Sequence, residues 1–345
     1  MLNEEMGTVV TGNPKQADIA RLAGVSQPMV SYVLNGRSNF SIPAETRQRI
    51  LESATQLGYE PDQLARSLRT RKTRTLACVI PDIANPFYPM VERGVQDVAE
   101  SQGYDLMVYN TDGDEAKERR CLKALIQRRV DGVVGVFFHL RAHDLKPLLT
   151  RGVPVVRLEA TPKKVGSLPL DSIFVDNAAA AQAALTYLLE RGHRQIGMLA
   201  GNGGPQESRR SGYRQALAAH DVPIDERLIV PCALSVEGGH FATREVLRLA
   251  SRPTALFAVN DIVALGAMEA LRSEGLRVPD DVAVMGFDDI LMARLVSPAL
   301  STVSQFQERL GRRATELLLE RLASESPIPG RLVQMPYELV IRGST

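Results

Sequence analysis

With 345 residues, 44% of them hydrophobic and 23% charged, the chain can bury two or three ordinary cores, and its composition excludes wholesale disorder. No apolar run reaches 18 residues, and the opening MLNEEMGTVVTGNPK lacks the basic start and apolar centre of a secretory signal; a cytoplasmic protein is expected, not a membrane-spanning or exported one. The formal net charge of +1 names no partner, yet residues 1–74 carry 10 Lys/Arg against 7 Asp/Glu, so positive charge gathers toward one end.

Residues 1–14 are expected to be a disordered tail. The stretch DIARLAGVSQPMVSYVLNG, Asp18 to Gly36, then packs two short apolar stripes around one glycine. Ile19, Ala20, Leu22 and Ala23 form one face, AGVS the turn, and Val30, Val33 and Leu34 the facing stripe. Gly24 supplies the backbone freedom of a tight turn, Ser26 can cap the second helix, and Pro28 falls where no intrahelical amide bond is lost. This is a helix-turn-helix pattern, which a generic helical hairpin would share. PAETRQRILESATQLGY predicts a third helix, with Ile50, Leu51, Ala54 and Leu57 available to close a small core, giving a domain over 15–60. PDQLARSLRT, Pro61 to Thr70, is a short helical stretch that can bury nothing by itself. It runs into RSLRTRKTR, where five cations stand in nine residues, as in a solvated linker or a nucleic-acid contact. Residues 61–74 are therefore taken as a hinge helix and linker.

From Thr75 the pattern is an apolar strand, a turn and a helical stretch, repeated. Near-continuous apolar runs such as TLACVI, GVVGVFF, TALFAVN and DVAVMGF are buried on both faces, which predicts α/β architecture with parallel sheets. The connection EATPKKVGSLPLD, Glu159 to Asp171, separates four strand units from five, so two similar subdomains with a cleft between them are expected. Their predicted extents are about 75–171 with 302–330, and about 172–301 with 331–345. Ligands of parallel sheets bind at the carboxyl ends of strands. Those positions hold NPFY (Asn85 to Tyr88), Glu159, GNGGPQESRR (Gly201 to Arg210), Asn260 with Asp261, and FDD (Phe287 to Asp289). Aromatic faces, arginine and several amide or carboxylate groups suit a small polar ring-shaped solute, although Asp176 and Asp261 can equally cap the helices that follow them.

Motifs for catalysis are weak. GNGGPQ has Gln206 where a dinucleotide fingerprint has its third glycine, HLRAH lacks the glutamate of a zinc protease, and no GxSxG elbow is present. No cofactor, metal or catalytic residue is expected. Cys78, Cys121 and Cys232 are odd in number and far apart, which favours buried thiols over a disulfide framework.

Taken together and in order, DIARLAGVS with VSYVLNG, ETRQRILESATQLGYEPDQLARSLRTRKT, VIPDIANPFY, RRVDGVVG, RGHRQIGMLAG, ESRRSGYRQAL, AVNDIVALGAMEALRSEGLRVPDDVAVMGFDD and LSTV resemble the LacI/GalR family of bacterial transcriptional repressors. The resemblance runs from about Gln16 onward. It implies an all-α helix-turn-helix head, a hinge helix, and two Rossmann-like subdomains of periplasmic-binding-protein type. It implies a regulator, not an enzyme, that binds a palindromic operator in double-stranded DNA as a homodimer, in the bacterial cytoplasm and on the nucleoid. By that likeness Gln27, Pro28, Met29 and Tyr32 would face base edges, and Ser26, Ser31, Asn35 and Tyr59 would meet phosphates or sugars. Ala65 and Leu68 would enter the minor groove. Phe87, Tyr88, Glu159, Arg209, Asn260 and Asp288 would line a pocket for a small-molecule effector, by family habit a carbohydrate. Tyr32 stands where relatives often have arginine or histidine, and Pro28 offers no side-chain hydrogen bond, so no operator sequence transfers. The end at VIRGST lacks the leucine heptads of tetrameric members. A periplasmic-type sugar-binding protein or a sugar-modifying α/β enzyme would share the body's architecture.

Overall fold

The computed structural model describes residues 14–34, 42–59, 72–159, 168–201, 204–326 and 328–345. The expected tail before Pro14, residues 61–71 of the expected hinge segment 61–74 with Ala65 and Leu68 among them, and Asn35 lie outside the described residues. The chain divides between Thr73 and Arg74 into two units.

The first unit contains α1 (Gln16–Ala23), α2 (Gln27–Leu34) and α3 (Ala44–Gln56). Ile19, Ala20 and Ala23 of α1, Val30 and Val33 of α2, and Ile50 and Ala54 of α3 form one small buried core. Gly24 ends α1 at φ +64°, a left-handed conformation that favours glycine and turns the chain into α2. The Arg49 Nε on α3 donates to the Ala23 carbonyl at 2.9 Å, tying the third helix to the end of the first. Two expected core residues lie outside: Leu22 is 46% and Leu51 42% exposed. At about 100° per residue each sits roughly a quarter turn off its helix's buried stripe, so apolar character alone did not bring it inward.

The second unit begins with β1 (Thr75–Ile80), α4 (Phe87–Ser101), β2 (Asp105–Asn110), α5 (Glu115–Arg128), β3 (Gly132–Val136), α6 (Lys146–Leu149), β4 (Val155–Glu159) and β5 (Asp171–Val175). It continues with α7 (Asn177–Glu190), β6 (Ile196–Leu199), α8 (Pro205–Ala219), β7 (Ile229–Val230), α9 (Val236–Leu247), β8 (Ala255–Ala258), α10 (Asp261–Ser273), β9 (Ala283–Met285) and α11 (Leu291–Leu295). Last come β10 (Thr302–Ser304), α12 (Gln307–Ala323), β11 (Leu332–Met335) and β12 (Glu338–Val340). One sheet runs in the order β11, β5, β4, β3, β1, β2 and another β7, β6, β8, β9, every pairing in them parallel, while β10 and β12 pair antiparallel. β1, β3, β6 and β8 are apolar and almost wholly buried because both faces are covered, whereas the edge strands β2 and β11 are partly exposed. Leu76, Cys78 and Ile80 of β1 share a core with Val91 and Val95 of α4 and Leu317 and Leu318 of α12. Ala77 and Val79, pointing the other way, pack with Cys121 and Leu125 of α5.

The expected subdomain extents need one correction, at β5 and β11. The expected second subdomain begins at about residue 172 and resumes at 331, yet β5 and β11 pair with each other in the first sheet, Leu332 opposite Ser172 through Met335 opposite Val175. The cause is partly electrostatic. The fully buried Asp171 carboxylate accepts from the guanidinium of Arg321 on α12 at 2.5 Å and from that of Arg331, just before β11, at 2.8 Å. These bonds hold the Asp171 carboxyl below its ordinary range against the opposing effect of burial. The end of the chain reaches the second sheet, where Ser344 Oγ donates to the Val284 carbonyl at 2.6 Å. The chain thus passes between the subdomains after β5, after β10 and after β11.

Among the described residues, no helix is long and apolar enough to cross a membrane. Burial pushes the thiols of Cys78 and Cys121 up to about 12 and that of Cys232 up to about 11, which makes them poor nucleophiles.

Candidate functional site

Two sites emerge, one in each unit. In the head, Val30 and Val33 turn one side of α2 into the core, which leaves Ser26, Gln27 and Pro28 exposed at its start. Ser31 and Tyr32 are half-buried. Met29 and Tyr59, expected at base edge and phosphate, pack partly against the head core.

In the body, three of the predicted pocket residues, Tyr88, Arg209 and Asp288, come together beyond the strand ends. Arg209 comes from α8, Asp288 from the turn after β9, and Asn260 from the turn between β8 and α10. Arg209 is buried, and each of its three side-chain nitrogens donates one bond: Nε to Asn177 Oδ1 at 2.8 Å, one terminal nitrogen to the Val259 carbonyl, and the other to Asp288 Oδ1 at 3.5 Å. The guanidinium also lies 3.7 Å from the centre of the Phe287 ring. The Asp288 carboxylate accepts from Gln305 Nε2 at 2.7 Å, and its backbone carbonyl accepts from Gln307 Nε2. Asp288 has φ +122°, a strained conformation for a residue with a Cβ, held in place by its backbone N–H bond to the Val303 carbonyl at 2.8 Å. Gln305 and Gln307 lie on the crossing between β10 and α12. Asp288 is thereby bonded to a segment that joins the two subdomains.

Tyr88 faces this pair from the first subdomain. It is buried at the start of α4, its ring edge-on to that of Phe87 with centroids 5.1 Å apart. Its phenol is pushed up by burial and then by the Asp288 charge, and drawn down by Arg209. Burial also pushes Asp288 up to about 7, with Arg209 opposing and Asp261 reinforcing. Arg209 itself is drawn down by burial. A buried cation, a carboxyl group held above the usual carboxylate range and a phenol thus come together, a set that offers donors and acceptors to hydroxyl or amide groups.

The other predicted residues are placed differently. Glu159, at the end of β4, has its carboxylate 3.0 Å from Arg157 two residues earlier on the same face of the strand. Asn260 uses its carboxamide oxygen to cap α10, accepting from the Val263 N–H at 2.9 Å. The capping role expected of Asp261 therefore belongs to its neighbour. Asp261 accepts instead from Thr302 Oγ1 at 2.5 Å and the Ile290 N–H at 2.9 Å, and burial raises it to about 6. Asp176 does cap α7, through the Ala179 N–H. Sequence reasoning missed Asn177, Gln305 and Gln307, which orient the charged pair from distant elements. It also missed Phe138, just past the end of β3 and so between the ends of β1 and β4. Among the described residues no three His, Cys, Asp or Glu side chains gather as a metal site.

Two family models match the chain: the bacterial regulatory proteins of the lacI family over residues 17–62, and the periplasmic binding protein-like domain over 185–345. The transcriptional regulator DegA of Bacillus subtilis is 32% identical over 333 residues, 95% of this chain and 97% of the relative. The ribose operon repressor of Haemophilus influenzae is 34% identical over 92% of this chain and 95% of its own. A cellobiose complex of the transcriptional regulator CelR superposes with a TM-score of 0.71 at 31% identity, covering 96% of this chain and all of that one. With helix-turn-helix head and two-sheet body in the same order and over nearly the same length as these regulators, the chain belongs to the LacI family of bacterial transcriptional regulators.

Proposed function

We propose that this regulator is a cytoplasmic, non-enzymatic repressor that binds a palindromic operator as a homodimer and is controlled by a sugar in the cleft of its body. The head over residues 15–60 would read DNA through Gln27, Pro28, Met29 and Tyr32, with Ser26, Ser31, Asn35 and Tyr59 on the backbone and Ala65 and Leu68 in the minor groove. The observation that carries the reading of the body is the buried Arg209–Asp288 pair, faced by Tyr88 from the other subdomain and bonded to the crossing segment through Gln305 and Gln307. A ligand that competes for Asp288 changes what holds that segment, and so favours one arrangement of the subdomains over another. Phe87, Glu159 and Asn260 complete the proposed lining. Relatives described as a ribose operon repressor and a cellobiose-bound regulator support a carbohydrate.

The test is selection from random duplex DNA by the purified chain at low salt. Enrichment of a palindrome is expected. Retention of DNA without any sequence enrichment would refute the operator reading, and turnover of ribose or cellobiose would refute the non-enzymatic one.

A further inference from the structure

The loop after β3 is built to hold one aromatic ring across the cleft. Glu118 of α5 is 1% exposed, and its carboxylate accepts three successive backbone N–H groups, those of Phe138 at 2.7 Å, His139 at 3.1 Å and Leu140 at 2.9 Å. Three amides around one carboxylate fix the loop as a single piece. His139 adds a bond from Nε2 to the Gly113 carbonyl at 2.9 Å. The Phe138 ring then stands between two glycines with positive φ, Gly113 at +60° before α5 and Gly204 at +52° before α8. A Cβ on Gly113 would lie 3.1 Å from the ring, and one on Gly204 3.3 Å from its other side. Gly113 belongs to the first subdomain and Gly204 to the second, so the ring fills a slot that both must form. Phe138 is nevertheless 37% exposed, unlike Phe137 beside it at 8%. Part of the ring therefore remains available to a neighbour.

We propose that Phe138 is the closing residue of the effector pocket: its ring bridges the two subdomains at the strand ends and covers the apolar face of a bound sugar ring. The ligand half of this inference rests on the carbohydrate reading above; the bridge does not. An aromatic face suits the C–H groups of a pyranose or furanose, while Arg209 and Asp288 take its hydroxyls. Phe138 would thereby select ring-shaped sugars over open-chain polyols of the same polarity.

The chain contains no tryptophan, so Phe138→Trp places a single fluorophore in the slot. Phe241→Trp, at a position 62% exposed on α9, is the control. Without any sugar, acrylamide is expected to quench the tryptophan at 138 less than that at 241, in line with 37% against 62% exposure. Equal quenching at both positions would overturn the bridge. Calorimetry with D-ribose and cellobiose on the wild type and on Phe138→Ala tests the cover. For whichever sugar binds the wild type, about tenfold weaker binding is expected in the variant. Unchanged affinity would overturn the covering role. Binding of neither sugar to the wild type would refute those sugars as effectors, with quenching still deciding the bridge.

Discussion

Replacing Arg209 with methionine keeps much of its bulk but removes the cation from a buried cluster. The variant loses bonds to Asn177 and the Val259 carbonyl and leaves Asp288, 4% exposed, facing Tyr88 and Asp261 without its counter-charge. Breaking a buried pair in this way costs about 3–5 kcal/mol. The loss must depend on pH, because Arg209 draws down the Asp288 carboxyl, which sits at about 7 in the wild type. Its removal moves that carboxyl further up. At pH 8 the variant must either bury an unpaired charge or take up a proton, whereas at pH 5 Asp288 is already protonated and loses less. Urea unfolding at the two pH values, followed by circular dichroism, should show a loss at pH 8 greater by about 1 kcal/mol or more, the equivalent of roughly one pKa unit. An equal loss at both pH values, or one below about 1 kcal/mol at pH 8, would refute the assignment of Arg209 and Asp288 as a coupled buried pair.

Other perturbations give distinct signatures. In the wild type, Asp288 and Asp261 hold protons in the folded state at about 7 and about 6 that the unfolded chain releases near 4, so their contribution to stability declines as pH rises through that window. Asp288→Asn should flatten the decline near pH 7 in the same unfolding assay. Asp171 acts oppositely: its depressed carboxyl stabilises above the unfolded value and loses that contribution as pH falls through the folded one. Asp171→Asn, which leaves Arg321 and Arg331 without their shared anion, should cost about 3–5 kcal/mol at pH 7, and the cost should shrink as pH falls below the usual carboxylate range. Ile50→Ala empties part of the small head core at a cost of about 2–5 kcal/mol; proteolysis is expected to cut the head while the body stays resistant. Gln27→Ala should relax base preference within the selected operator by about 1–3 kcal/mol at one position per half-site, read by competition between duplexes.

The parts legible in sequence were those governed by local pattern. Continuous apolar strands announced parallel sheets, and the strand-end rule led to Tyr88, Arg209 and Asp288, which the structure brings together. The placement of β11 was not legible, because RLVQM offers an edge strand to either sheet. What distant residues contribute to it, including the bonds of Asp171 with Arg321 and Arg331, has no local signature. Leu22 and Leu51 were misplaced for the opposite reason: short helices in a small head have a narrow buried stripe, and apolar residues beside it stay outside. Asn177, Gln305 and Gln307 bear no local signature, since an amide that orients a charge looks like any surface amide until the fold closes. Phe138 was hidden within an apolar run that read as strand.

Occupancy of the cleft is expected to alter DNA affinity through Arg209 and Asp288. The most direct measurement is fluorescence anisotropy of the selected operator duplex, titrated with wild type and with Arg209→Met at a pH where both are folded, with and without ribose or cellobiose. The wild type should change its operator affinity by roughly 5- to 150-fold on adding one sugar, and the variant should bind the duplex with no such response. A wild-type affinity unaffected by any cleft ligand, or a variant that responds as fully as the wild type, would contradict the account.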